Sequence, residues 1–145
     1  MNVVFKQVSL SIIVSLALIF GMSINAYANG CTTPPDLTVS VSPNNLWPPN
    51  HRYVSVTATA IVSAACGPVT VALISVTSNE PDNGLGDGDT PMDIVIVDDS
   101  NFQLRSERGG AGSGRIYTIT YSATDASGNQ TNRSASVVVP LNQAY

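Results

Sequence analysis

The sequence predicts an all-β protein, an antiparallel sandwich of about seven strands, and three observations carry that expectation. Thr, Ser and Val dominate the chain beyond residue 28, and no ten-residue window there carries an apolar stripe of helical period. Apolar residues alternate with polar ones instead, the period of a strand with one buried and one wet face. Every connection between the alternating segments is too short for a crossover helix, so neighbouring strands are expected to be antiparallel.

Residues 1–28 read as a signal peptide rather than as fold. Lys6 and the amino terminus precede an apolar run from Val8 to Phe20, and Ala26-Tyr27-Ala28 fits a small-x-small cleavage pattern. The run is too short and too rich in Ser to suit a membrane span. An uncleaved anchor, or a lipoprotein processed at Cys31, are the alternatives. Cleavage leaves 145 − 28 = 117 residues, the length of one ordinary domain. We divide them into an N-terminal arm at 29–36, the sandwich at 37–140 and a C-terminal tail at 141–145.

The strands are expected at 37–41, 53–62, 69–78, 93–97, 102–107, 115–124 and 132–140. In the second, Val54, Val56, Ala58, Ala60 and Val62 share a face. In the sixth, Tyr117, Ile119, Tyr121 and Ala123 do so, as do Phe102 with Leu104, and Ala135 with Val137 and Val139. Seven short strands in about a hundred residues match an immunoglobulin-like sandwich. In that topology the connections after the first, third and fifth strands meet at one end, and the N-terminal arm joins the others at the opposite end. Cys31 and Cys66 then lie together, and an even pair in an exported chain reads as a disulfide. Closing that loop restricts the unfolded chain by about 3–4 kcal/mol.

Seven carboxylates and no Lys or Arg fall between Glu80 and Asp99, most of them in a glycine-broken stretch. Like charges this dense repel unless a cation or arginines neutralise them. The flexible backbone lets oxygens converge, which suits calcium, with Glu80, Asp87, Asp89 and Asp93 as the candidate ligands. The stretch is not an EF-hand, because the fifth and sixth positions from Asp87 are Pro91 and Met92. The rival expectations are arginine pairing, since Arg105, Arg108 and Arg115 lie in or beside the connection that meets this loop, and a plain solvated acidic loop.

Trp47, Asn50 and His51 belong to the first connection, and Arg105, Glu107 and Arg108 to the fifth, so a partner surface is expected where the two meet. A lone Trp before two prolines reads first as a plug closing the core, and second as a platform for stacking carbohydrate. His51, the only histidine, is expected to hydrogen-bond locally or to a carboxylate such as Glu107. Asp125-Ala126-Ser127-Gly128-Asn129 reads as a capped turn with Gly128 at positive φ.

Composition narrows the function classes. Beyond residue 28 there is no Lys, and five Arg stand against ten acids, which disfavours nucleic acid and anionic membranes. No Gly-x-Ser-x-Gly elbow is present, a single His serves few triads, and the paired acids share one flexible segment, so no enzyme is expected.

Tyr121-Ser122-Ala123-Thr124-Asp125-Ala126-Ser127-Gly128-Asn129 resembles the Tyr-x-Ala-x-Asp-x-x-Gly-Asn segment of hyalin-repeat and related bacterial extracellular Ig-like domains. Leu46-Trp47-Pro48-Pro49-Asn50-His51, Thr77 to Pro81 with Gly84 to Asp89, and Leu104 to Arg108 also resemble a module repeated in large bacterial surface proteins. The resemblance implies a secreted, non-catalytic interaction or spacer module. The expected role is extracellular interaction, adhesion or scaffolding, secreted or held at the cell surface or in a periplasm, with an extracellular protein or glycan as partner. Assembly through edge-strand pairing is a further alternative.

Overall fold

The computed structural model describes residues 30–83 and 90–142. The expected signal peptide and the ligand candidates Asp87 and Asp89 lie outside the described residues. Among the described residues there are seven strands: β1 (Asp36–Ser42), β2 (Tyr53–Ser63), β3 (Val69–Ser78), β4 (Ile94–Ile96), β5 (Asn101–Arg105), β6 (Arg115–Asp125) and β7 (Gln130–Val139). They form two sheets, β1-β2-β5-β4 and β3-β6-β7, with every pairing between strands antiparallel. This four-against-three order is that of an immunoglobulin constant-type sandwich.

The alternation read from sequence sets which faces meet. Leu37, Val56, Phe102 and Leu104 from one sheet and Tyr117, Ile119, Tyr121, Val137 and Val139 from the other are buried in a common core. Each such side chain contributes about 1.5–3 kcal/mol of transfer free energy. Two tyrosines place polar tips in this core and satisfy them on backbone: the Tyr117 hydroxyl donates to the Arg105 carbonyl at 2.7 Å, and that of Tyr121 to the Asp99 carbonyl.

Several strand ends differ from expectation for local reasons. The fifth strand stops at Arg105, two residues early, because the Glu107 amide turns back to the Arg105 carbonyl at 2.9 Å. The fourth closes at Ile96, ahead of a turn in which Asp98 Oδ1 accepts the amides of Ser100 and Asn101, both at 2.8 Å. The seventh starts earlier, at Gln130, because the β6–β7 turn is tight. There Asp125 Oδ1 accepts from the amides of Ser127 and Asn129 at 2.9 Å, and Gly128 takes φ 86°. This is the capped turn expected from sequence.

After β1 the chain crosses to the other sheet. The Val138 amide donates to the Asn44 carbonyl at 2.9 Å and the Leu46 amide to the Val138 carbonyl at 2.8 Å, a parallel bridge on the outer edge of β7. The crossing covers that part of the edge and delivers Leu46, 1% exposed, into the core. At the opposite end Cys31 and Cys66 form a disulfide with Cα atoms 5.7 Å apart, and Asn129 Nδ2 donates to the Cys31 carbonyl at 3.0 Å. The arm and the β2–β3 and β6–β7 turns therefore share one end, as the topology predicts.

Candidate functional site

The other end gathers the β1–β2, β3–β4 and β5–β6 connections. Ser106, 1% exposed, is the pivot of the first and third. Its hydroxyl donates to the Pro48 carbonyl at 2.8 Å, its carbonyl accepts the His51 amide at 3.0 Å, and its amide donates to the Arg52 carbonyl at 2.8 Å. Arg105 ties in the second connection, donating to the carbonyls of His51 at 2.9 Å and Pro91 at 3.0 Å. The Gly109 amide donates to Glu80 Oε2 at 2.7 Å.

Beneath these loops runs a ladder of alternating charge. Arg115 opens β6 on the same strand parity as Tyr117 and Ile119, so its side chain enters the space between the sheets and is fully buried. Its guanidinium donates to Asp93 Oδ2 and lies 3.3 Å from Glu80 Oε2. Arg105 Nε lies 3.3 Å from Asp93 Oδ1, an ion pair without hydrogen-bond alignment, since neither atom has a hydrogen-bond partner. The Arg105 guanidinium also covers the Tyr53 ring, 4.2 Å from its centroid. Asp82 closes the loop locally, accepting the amides of Asp93 at 2.8 Å and Met92 at 3.2 Å.

Burial pushes the Asp93 carboxyl up, against the opposing pull of Arg115. For Arg115 burial acts downward, but the hydrogen bond to Asp93 and the field around it leave the guanidinium above its ordinary value. Arg115 is therefore charged throughout the working range of pH. The amides of Asp93 and Met92 hold the Asp82 carboxyl below the usual range.

The structure thus engages Glu80 and Asp93, two of the four expected calcium ligands, with guanidinium groups. Asp93 already meets two guanidinium groups, that of Arg115 at Oδ2 and that of Arg105 3.3 Å from Oδ1, so its charge is compensated without an added cation. Among the described residues no three of His, Cys, Asp and Glu gather into a group able to hold a metal ion. Arg108, expected to meet the acids, instead donates to the carbonyls of Pro140 and Leu141, both at 2.9 Å, and fastens the chain beyond β7.

Trp47 departs from the plug expectation. It is 41% exposed, and the preceding Leu46 takes the place in the core. His51 has φ 61°, a half-exposed side chain, and Nδ1 2.8 Å from Oε2 of the fully buried Glu107, the partner expected from sequence. Asn50 is exposed and turns its Oδ1 to the Arg52 amide at 3.2 Å.

Tyr53, Met92 and Ser106 were not singled out by sequence reasoning. Tyr53 and Met92 are exposed and joined by a hydrogen bond from the Tyr53 hydroxyl to the Met92 carbonyl. Their signal was weak, because an aromatic at a strand start and a Met in a loop are common. A cleft of about 480 Å³ opens beside Met92, lined by Pro81, Met92 and Ile94 over Glu80, Asp93 and Arg115. Among the described residues no helix is long and apolar enough to cross a membrane. No protein-family model, curated protein or solved structure matches the chain.

Proposed function

We propose that the protein is an exported, non-catalytic Ig-like module that presents one fixed loop end for recognition outside the cell. One observation carries this reading: three connections are tied together by Ser106 and by Asp93 with its two arginines, while Trp47, Tyr53 and Met92 stay exposed above them. Large exposed side chains on a preordered frame bind with little ordering cost. Loops held by a sandwich are the usual place for such a surface. The leader pattern of residues 1–28 and the Cys31–Cys66 bond support export, since disulfides persist in oxidising compartments. The resemblance to hyalin-repeat domains supports the same role.

In this reading Arg115 and Arg105 neutralise Glu80 and Asp93, and calcium binding by Glu80, Asp87, Asp89 and Asp93 is the competing proposal. Calorimetry of the purified protein in calcium and in chelator tests the choice. The arginine-held end predicts the same melting temperature in both. A rise with calcium assigns the acidic segment to an ion and overturns ordering by arginines alone.

A further inference from the structure

We infer that the turn from Trp47 to Arg52 is a carbohydrate-binding site, with the indole as stacking face and His51 as its hydrogen-bonding centre. The inference rests on the recognition-module reading and gives that module a ligand class.

The turn is built before any ligand arrives. Ser106 alone makes three hydrogen bonds to it, at Pro48, His51 and Arg52, so Trp47 and His51 project from a closed, clamped loop. Leu46 fills the core, and Trp47, the next residue and followed by two prolines, is 41% exposed. A flat indole face suits the C–H face of a pyranose ring, apolar on one side and rimmed by hydroxyls, and His51 and Asn50 supply polar groups on the same turn.

The second, independent observation is Glu107. Its carboxylate is fully buried, Oε1 has no hydrogen-bond partner, and Oε2 meets the ring of His51. Taking a carboxylate out of water is expensive. What this one achieves is to orient an imidazole whose side chain is 54% exposed. A carboxylate only accepts, so Nδ1 carries the hydrogen, an assignment made from the network. Nε2 is left without a partner among the described residues.

That nitrogen accepts in the neutral ring and donates in the protonated one. A hydroxyl satisfies either state, whereas a carboxylate or an ammonium satisfies only one. Asn50 commits Oδ1 to the Arg52 amide, which leaves its Nδ2 as a donor on the same turn. An indole face, an oriented imidazole and an amide donor together select a neutral, hydroxyl-rich ring.

Trp47 is the only tryptophan, so its emission reports on this turn alone. The test titrates the purified protein with soluble oligosaccharides of glucose, N-acetylglucosamine, mannose and xylose, and measures retention on the matching insoluble polymers. A saturable shift in emission with at least one sugar is expected, with retention abolished by Trp47→Ala and weakened about 10-fold by His51→Ala, the loss of one good hydrogen bond. Both positions are exposed, and circular dichroism checks that the variants remain folded. No emission change and no retention on any polymer by the folded protein overturns the inference. Should Trp47→Ala instead abolish capture of an extracellular protein while every sugar is inert, the recognition reading stands and the carbohydrate assignment falls.

Discussion

Asp93 and Arg115 form a buried ion pair that joins the two sheets at one end of the sandwich. Asp93 immediately precedes β4 in one sheet and Arg115 opens β6 in the other, while Arg105, at the end of β5, approaches Asp93 from its own sheet. One carboxylate therefore meets cations from both layers. A buried pair adds little net stability over an apolar pair of the same shape, yet leaving either member alone in the interior costs about 3–5 kcal/mol. Its value here is positional: it fixes where three connections meet.

Gly114 ends the β5–β6 connection just before Arg115, at φ 100°. A Cβ added there would lie 2.8 Å from the Val139 carbonyl oxygen, which is backbone and cannot swing aside. Gly114→Ala is expected to lower unfolding free energy by about 1–3 kcal/mol in urea titration. Gly128→Ala, with no atom within 4 Å of its added Cβ, is expected to cost less despite its φ of 86°.

The Cys31–Cys66 bond spans 35 residues and holds the N-terminal arm to the far end of the molecule. Replacing both cysteines by Ser is expected to cost about 2–5 kcal/mol. Because the bond lies at the end opposite Trp47, the variant is expected to keep the native tryptophan emission below its melting temperature.

Acid is expected to weaken the fold through three turn carboxylates. Asp98 is held low by the Asn101 side chain and nearby amides, and Asp82 by the amides of Asp93 and Met92. For Asp125 burial acts upward, but hydrogen bonds from Asn129, Ser127 and Gly128 outweigh it and leave the carboxyl low. A lowered carboxyl contributes its full stability above the unfolded value of 3.8 and loses it as pH falls through the folded value. Asp93 has the opposite sign, since burial raises it and its protonation offsets part of the loss. Melting temperature should therefore drop below pH 3.8. Asp125→Asn should melt lower at neutral pH and show a smaller acid-induced drop.

Much of this was legible in the sequence, for reasons that particular residues make plain. Strict alternation through Tyr117, Ile119 and Tyr121 assigned the core face of β6, and the same parity carries Arg115 inward. Strand topology alone predicted that acid and base would meet at one end and the two cysteines at the other. The pairing within that end was not legible, because backbone spacing leaves the reach of long side chains open. Arg108 satisfies carbonyls near the C-terminal end, and Arg105 and Arg115 take Asp93. Trp47 was misassigned by one position: the bridge of the preceding residues to β7 turns Leu46 inward and its neighbour out, since successive side chains on extended backbone face opposite ways.

A double-mutant cycle between Asp93→Leu and Arg115→Met, followed by chemical denaturation, tests the joining of the sheets most directly. Each single variant is expected to lose about 3–5 kcal/mol by stranding a buried charge, and the double variant to recover much of that loss. Losses that simply add would contradict the account, because the two side chains would then not be acting on one another.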